Sequence, residues 1–155
     1  MAITYHDDLP FAQTPARPLY LDLAQPDPLP PDPAPALVFM HPGGWQSGDK
    51  DRHISDFLTR AGYVTASIQY RFSHEARFPA QIHDAKAAVR WLRQNAQRYH
   101  IDPQRTGVWG HSAGGYLAAF LGTSAGLGVY EGDQNPGASA TVQAVVNVAG
   151  VVWVL

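Results

Sequence analysis

Apolar runs and helical periodicities take turns along this chain. Ala36-Leu37-Val38-Phe39-Met40 has no polar position, the pattern of a strand covered on both faces, and Tyr63 to Tyr70 reads as a second buried strand. Between them Ile54, Phe57, Leu58 and Ala61 fall at helical spacing, with Asp51 as a cap and Gly62 as a stop. From Pro79 onward Ile82, Ala85, Val89, Leu92, Ala96 and Tyr99 step by three and four, while Lys86, Arg90, Arg93 and Gln97 line the opposite side. Ile101-Asp102-Pro103 reads as a turn, Arg105 to Trp109 as a short strand, Ser112 to Leu121 as a helix ended by Gly122, and Thr141 to Val148 as a last strand. Strands alternating with helices predict an α/β domain with a mostly parallel sheet and helices on both faces.

One stretch interrupts this rhythm. Pro26, Pro28, Pro30, Pro31, Pro33 and Pro35 exclude a helix interior or a ladder, so the segment predicts an exposed, polyproline-like connector between strands; a docking motif for a proline-binding module is the other reading. The 155 residues suffice for a single domain, 1–155, with one core. A formal charge of -2, with Arg90, Arg93 and Arg98 on one helix, argues against a nucleic-acid partner. The absence of cysteine excludes disulfides, thiolate metal sites and Cys nucleophiles, and neither a metal nor a cofactor is expected. Acidic residues at Asp7 and Asp8 are unlike a secretory signal, and no run approaches the length of a membrane helix, so a cytoplasmic protein is expected.

The remaining chemistry belongs to Ser, His and carboxylates. Gly110-His111-Ser112-Ala113-Gly114 lies between a predicted strand and a predicted helix, the setting of a nucleophile elbow, with Ser112 at the apex of a sharp turn. Glycine at 110 and 114 lets strand and helix approach, and the helix amino end favours developing negative charge. His41-Pro42-Gly43-Gly44-Trp45 follows the first buried strand. The N–H groups of Gly43 and Gly44, with that of Ala113, can form a three-donor oxyanion hole, although the segment read alone is an ordinary Pro-Gly turn. No G-x-G-x-x-G or Walker pattern follows a strand, which removes a nucleotide-binding reading.

With these motifs the sequence resembles the α/β-hydrolase carboxylesterases of the hormone-sensitive-lipase-like group, and among them the bacterial bifunctional acetylxylan/feruloyl esterases. The resemblance is carried by His41-Pro42-Gly43-Gly44-Trp45, Ser47-Gly48-Asp49-Lys50, Tyr70-Arg71-Phe72-Ser73, Phe78 to Asp84, Trp91-Leu92 and Gly110 to Gly115. It implies a serine carboxylesterase acting on short acyl esters. The family places glycine where this chain has Pro42, a change that spares the N–H groups of Gly43 and Gly44. It also completes a Ser-acid-His triad after two further strands. Here all seven histidines precede Ser112, and Glu131 and Asp133 are the only carboxylates after it, so the expected fold is a truncated hydrolase without the family's acid and base.

Candidate bases are then His41, at the end of the strand beside Ser112, and less directly His111, His74 and His83. Asp84 is expected to favour a helix amino end, and Trp45, Trp91, Trp109 and Trp153 to be core residues. A catalytically impaired remnant serving as a binding or assembly module is the competing reading. The valine-rich stretch from Val142 to Leu155, uncharged and at a predicted sheet edge, points to a homo-oligomer formed through the last strand and tail.

Overall fold

The computed structural model describes residues 1–152. Six strands form one sheet: β1 (Ala2–Gln13), β2 (Pro18–Asp27), β3 (Ala34–Met40), β4 (Val64–Ile68), β5 (Ile101–His111) and β6 (Ala144–Val148), in the order β1-β2-β4-β3-β5-β6. β3, β4, β5 and β6 run parallel, while β1 and β2 form an antiparallel hairpin joined to β4 through β2. The sheet is the mostly parallel one expected. α1 (Asp56–Arg60) lies on one face, and α2 (Ala80–Gln94) and α3 (Ala113–Thr123) pack together on the other.

The register explains the core. Leu23, Ala66, Val38, Val108 and Val145 stand side by side across five strands. The first four are buried on the α2/α3 side with Ile82, Ala85, Val89, Leu92, Leu117 and Leu121. That burial is the main stabilising term, at about 25 cal/mol per Å² of apolar surface.

Several expectations change. The hairpin of β1 and β2 went unforeseen, and Pro26, though in the proline-rich stretch, is buried within β2 opposite Ile3. The connector is therefore short, from 28 to 33, because Pro35 already belongs to β3. α1 is one turn and a half, with Phe57 exposed and Thr59 its buried residue, bonded to Thr65 Oγ1 at 2.8 Å. Asp51 caps no helix and accepts the His53 N–H across a tight turn. The turn at Ile101 is a bulged start of β5, where Asp102 Oδ1 accepts the Gln104 N–H and the register to β3 jumps between Ala34 and Ala36. α3 passes through Gly122 to Thr123, and Arg98 lies beyond the end of α2.

The polar side of α2 is not solvated. Lys86 is fully buried and Arg90 nearly so, because the segment after α3 folds back over them. Glu131 in that segment bonds Lys86 Nζ at 2.7 Å and Arg90 Nη2 at 2.5 Å. Asn135 Nδ2 donates to the carbonyls of Phe11 and Ala87, and Arg93 reaches the carbonyls of Pro103, Ser139 and Thr141. All five residues of β6 are exposed, as are Val151 and Val152; Trp153, Val154 and Leu155, the rest of the tail expected at an interface, lie outside the described residues. Among the described residues no helix is long and apolar enough to cross a membrane.

Candidate active site

The turn from β5 into α3 is built for a displayed side chain. Ser112 has φ 54° and ψ -117°, a left-handed conformation that costs of order 1–3 kcal/mol outside glycine and persists only where its surroundings enforce it. Its N–H is held by the Val148 carbonyl at 2.9 Å and its own carbonyl takes the Tyr116 N–H at 3.0 Å. A Cβ on Gly110 would run into the Gly114 carbonyl, and one on Gly114 into the carbonyls of Met40 and His41. Glycine at both places is thus a steric requirement, as the spacing suggested. Ser112 Oγ makes no capping bond, and the first N–H groups of α3, Ala113 among them, have no acceptor within the helix.

Met40 pairs with Gly110 at the carboxyl ends of β3 and β5, so the segment leaving β3 runs beside the serine turn. In it Gly43, Gly44 and Trp45 all have positive φ. The Gly43 carbonyl accepts from Gln46 N (3.0 Å) and Ser47 N (3.1 Å), whereas the N–H groups of Gly43 and Gly44 donate to nothing among the described residues. Two unengaged donors beside a strained serine are what stabilisation of an oxyanion requires.

His41 underlies this loop. It is 2% exposed, lies flat on Tyr70 with ring centroids 4.2 Å apart, and its carbonyl accepts the Tyr70 hydroxyl at 2.8 Å. Nδ1 lies 2.6 Å from the Pro42 carbonyl; because that oxygen can only accept, Nδ1 carries the proton. Nε2 is buried without a partner, and His41 shares no hydrogen bond with Ser112. Burial pushes its pKa down, against the Pro42 carbonyl and Asp49, so the ring is neutral at pH 7. The consequence is geometric. In a trans peptide C=O and N–H point opposite ways, so fixing the Pro42 carbonyl toward His41 turns the Gly43 N–H away from the buried ring. A side chain at Gly48 would strike His41 Nδ1 and the Pro42 carbonyl and break this lock.

The other histidines are elsewhere. His111 ends β5 opposite Val148, His83 Nε2 is bound to the Val129 carbonyl at 2.9 Å, and His74 packs beside Phe72. Asp84 does not sit in the first turn of α2. It is buried and accepts the Arg71 N–H and guanidinium, at 2.8 and 2.7 Å, tying the segment after β4 to α2. Glu131 is consumed by Lys86 and Arg90, and Asp133 is exposed.

An apolar cleft of about 290 Å³ opens next to the loop, lined by Trp45, Ser73, Phe78, Gln81, Tyr116 and Leu117. Trp45 meets Tyr116 edge-on at 5.5 Å, and Tyr116 is one turn along α3 from Ser112. Trp45 is therefore a cleft wall and not a core residue, while Trp109 packs on Phe39 and Trp91 lies against Tyr99. Sequence reasoning missed Tyr116; its place four residues after the serine, on the same helical face, was the available signal.

Residues 21–155 match the model of the BD-FAE family. The chain belongs to that family. The esterase LipC of Mycobacterium tuberculosis is 35% identical over 133 residues, 84% of this chain and 33% of LipC. The carboxylesterase NlhH of the same organism is 41% identical over 95 residues, 58% of this chain and 29% of NlhH. The chain thus spans about a third of the length of these relatives. Among solved structures, a truncated carbohydrate esterase from gut microbiota superposes with TM-score 0.82 at 31% identity, covering 93% of this chain and 55% of that one. The Thermogutta terrifontis esterase Est2 gives 0.79 at 29% identity, covering 90% and 51%. BD-FAE proteins and these neighbours share the α/β-hydrolase fold, which the expected resemblance named.

Proposed function

We propose that this chain carries the nucleophile and oxyanion hole of a carboxylic-ester hydrolase acting on small, short-acyl esters. Ser112 Oγ attacks the ester carbonyl as its proton passes to water, and the N–H groups of Gly43, Gly44 and Ala113 hydrogen-bond the negative oxygen of the tetrahedral adduct. The ester C–O bond then breaks, the alkoxide taking a proton from water to leave as the alcohol while an acyl-serine remains. The reading is carried by the left-handed Ser112 wedged between Gly110 and Gly114 beside two unengaged glycine N–H groups. The esterase relatives and neighbours support it.

In this reading His41 serves as the support of the oxyanion loop and not as the base, since its ring is engaged with Pro42 and Tyr70. No imidazole among the described residues hydrogen-bonds Ser112, so these residues supply the nucleophile and the oxyanion donors, and the serine proton passes to water. A short-chain p-nitrophenyl phosphonate followed by intact mass is the test. The wild type is expected to gain one adduct, at Ser112, and Ser112→Ala none; equal labelling of both overturns the reading. Acetate and butyrate esters are expected to acylate faster than a C12 ester, because the cleft holds only about 290 Å³.

Assembly through β6 is a second proposal. β6 is the last strand in the sheet order, and Val145, Val146 and Val148 are each at least 40% exposed, an apolar edge that a second copy would cover by twofold pairing. Sedimentation at micromolar concentration is expected to show a dimer; a monomer refutes it.

A further inference from the structure

The loop that supplies the glycine N–H groups is held at both ends. His41 and Tyr70 secure its start, as described. Its far end is Lys50, whose Nζ donates to Asp22 Oδ1 at 2.7 Å and lies 2.9 Å from Asp8 Oδ1. Both Lys50 and Asp22 are largely buried, with side chains 12% and 7% exposed. Asp49 Oδ1 accepts from Gln69 Nε2 at 2.9 Å, and the Asp51 N–H donates to Ser67 Oγ at 2.8 Å. Between these ends the loop passes through Gly43, Gly44, Trp45 and Gly48, all at positive φ, so its course depends on where the ends are fixed.

The hairpin is shaped to provide the Lys50 anchor. The pairing of β1 with β2 slips between His6 and Leu9, and Asp8 in that bulge has φ 53°. A bulge re-aims a side chain, and here the re-aimed carboxylate is the one that meets Lys50. Asp22 completes the arrangement by accepting the Asp8 N–H at 2.9 Å as well as the Lys50 ammonium. Without Lys50 the two carboxylates would face each other uncompensated, so strand geometry and charge both point to the lysine as the intended occupant. The BD-FAE match begins at residue 21, so β1 and its Asp8 lie outside the matched stretch.

We infer that Lys50, clasped by Asp8 and Asp22, is a positioning residue for the oxyanion hole, and that the β1–β2 hairpin thereby takes part in the site. The inference rests on the assignment of Gly43 and Gly44 as oxyanion donors. Small displacements of such donors have large effects on rate, and the substrate cleft has no wall in this clasp. Loss of the clasp should therefore slow bond formation at Ser112 without weakening binding.

The experiment follows phosphonate labelling of Ser112 by intact mass, and amide hydrogen exchange of the 41–49 loop, in the full chain. Lys50→Met is expected to slow labelling at saturating probe by about tenfold or more, with the half-saturating concentration changed less than about twofold, and to speed exchange in the loop. Lys50→Arg, which keeps the charge and reaches both carboxylates, is expected to restore most of the rate. Asp8→Asn, at a side chain 74% exposed, leaves the fold intact and is expected to shift both readouts in the same direction by less. It decides the matter if Lys50→Met fails to fold. Wild-type rate and exchange in the folded variants, or no recovery in Lys50→Arg, overturn the inference. A wild type labelled no faster than Ser112→Ala removes the assignment of the serine instead, and the loop exchange then decides the clasp separately.

Discussion

The carbonyl of Met40 occupies the space that a side chain on Gly114 would need. The end of β3 and the first turn of α3 therefore touch backbone to backbone, and the glycine loop and the serine turn form one unit. Gly114→Ala should destabilise the chain by about 3 kcal/mol, the upper range for overpacking against atoms that cannot yield. Gly62, unlike Gly114, has positive φ, but it faces open space, so Gly62→Ala should cost only about 1 kcal/mol. Urea unfolding of the two variants makes the comparison, and Gly114→Ala should also lose labelling at Ser112.

His41 makes two separable predictions. His41→Asn can still donate to the Pro42 carbonyl and should label within about tenfold of wild type, whereas His41→Ala frees the Pro42–Gly43 peptide and should label more slowly still. Equal loss in both would indicate a base. The pH dependence follows from a folded pKa below the ordinary 6.5. Between those two values the unfolded chain binds the extra proton, so the contribution of His41 to stability is full above about 6.5 and declines as the pH falls toward the folded value. The stability gap between wild type and His41→Asn at pH 7.5 and 5.5 should show that decline.

Glu131 is expected to matter for stability and not for chemistry. Burial raises its pKa, but Lys86 and Arg90 outweigh this and hold it below 4.5. Glu131→Gln leaves Lys86, 1% exposed, without its anion and should cost about 3 kcal/mol at pH 7, the lower end for a broken buried pair because Glu131 itself is 27% exposed. Its stabilisation is present above the ordinary carboxylate range and is lost as the pH falls through the folded value. The difference from wild type in urea melts should thus shrink at pH 3.

The cleft should set acyl length. Tyr116→Ala, one helical turn from Ser112, and Trp45→Ala remove adjoining walls of the cleft and should raise the butyrate-to-acetate ratio of acylation rates by about tenfold, the scale of one or two methylenes in an apolar pocket. An unchanged ratio in the p-nitrophenyl ester series would place the acyl group outside this cleft.

The parts of the site that were legible in the sequence are those where sterics dictate residue type. Gly110 and Gly114 are forced by a turn too tight for a Cβ at either place and so mark Ser112 between them, and the run Ala36 to Met40 is forced by burial on two faces. The hairpin was obscured because its prolines outweighed the alternation of Leu19, Leu21 and Leu23 with Tyr20 and Asp22, which is the period of a strand. Lys86 and Arg90 read only as the polar side of α2, because one helix carries no sign of what will cover it. Lys50 and His41 owe their roles to partners at Asp8, Asp22 and Tyr70, contacts that local periodicity does not encode.

The segment that returns from α3 to β6 crosses α2 and is fastened on the way to Lys86, Arg90, Arg93 and Gln94, and through Gln134 and Asn135 to β1. It acts as a seat belt over the helix. α2 can hardly fray by itself, since its central turns open only if Glu131 and Asn135 release, and their release also loosens the first strand of the sheet from the last crossover. Elements far apart in sequence are thereby merged into one cooperative unit, and the chain should melt there in a single step instead of peeling inward from its helices.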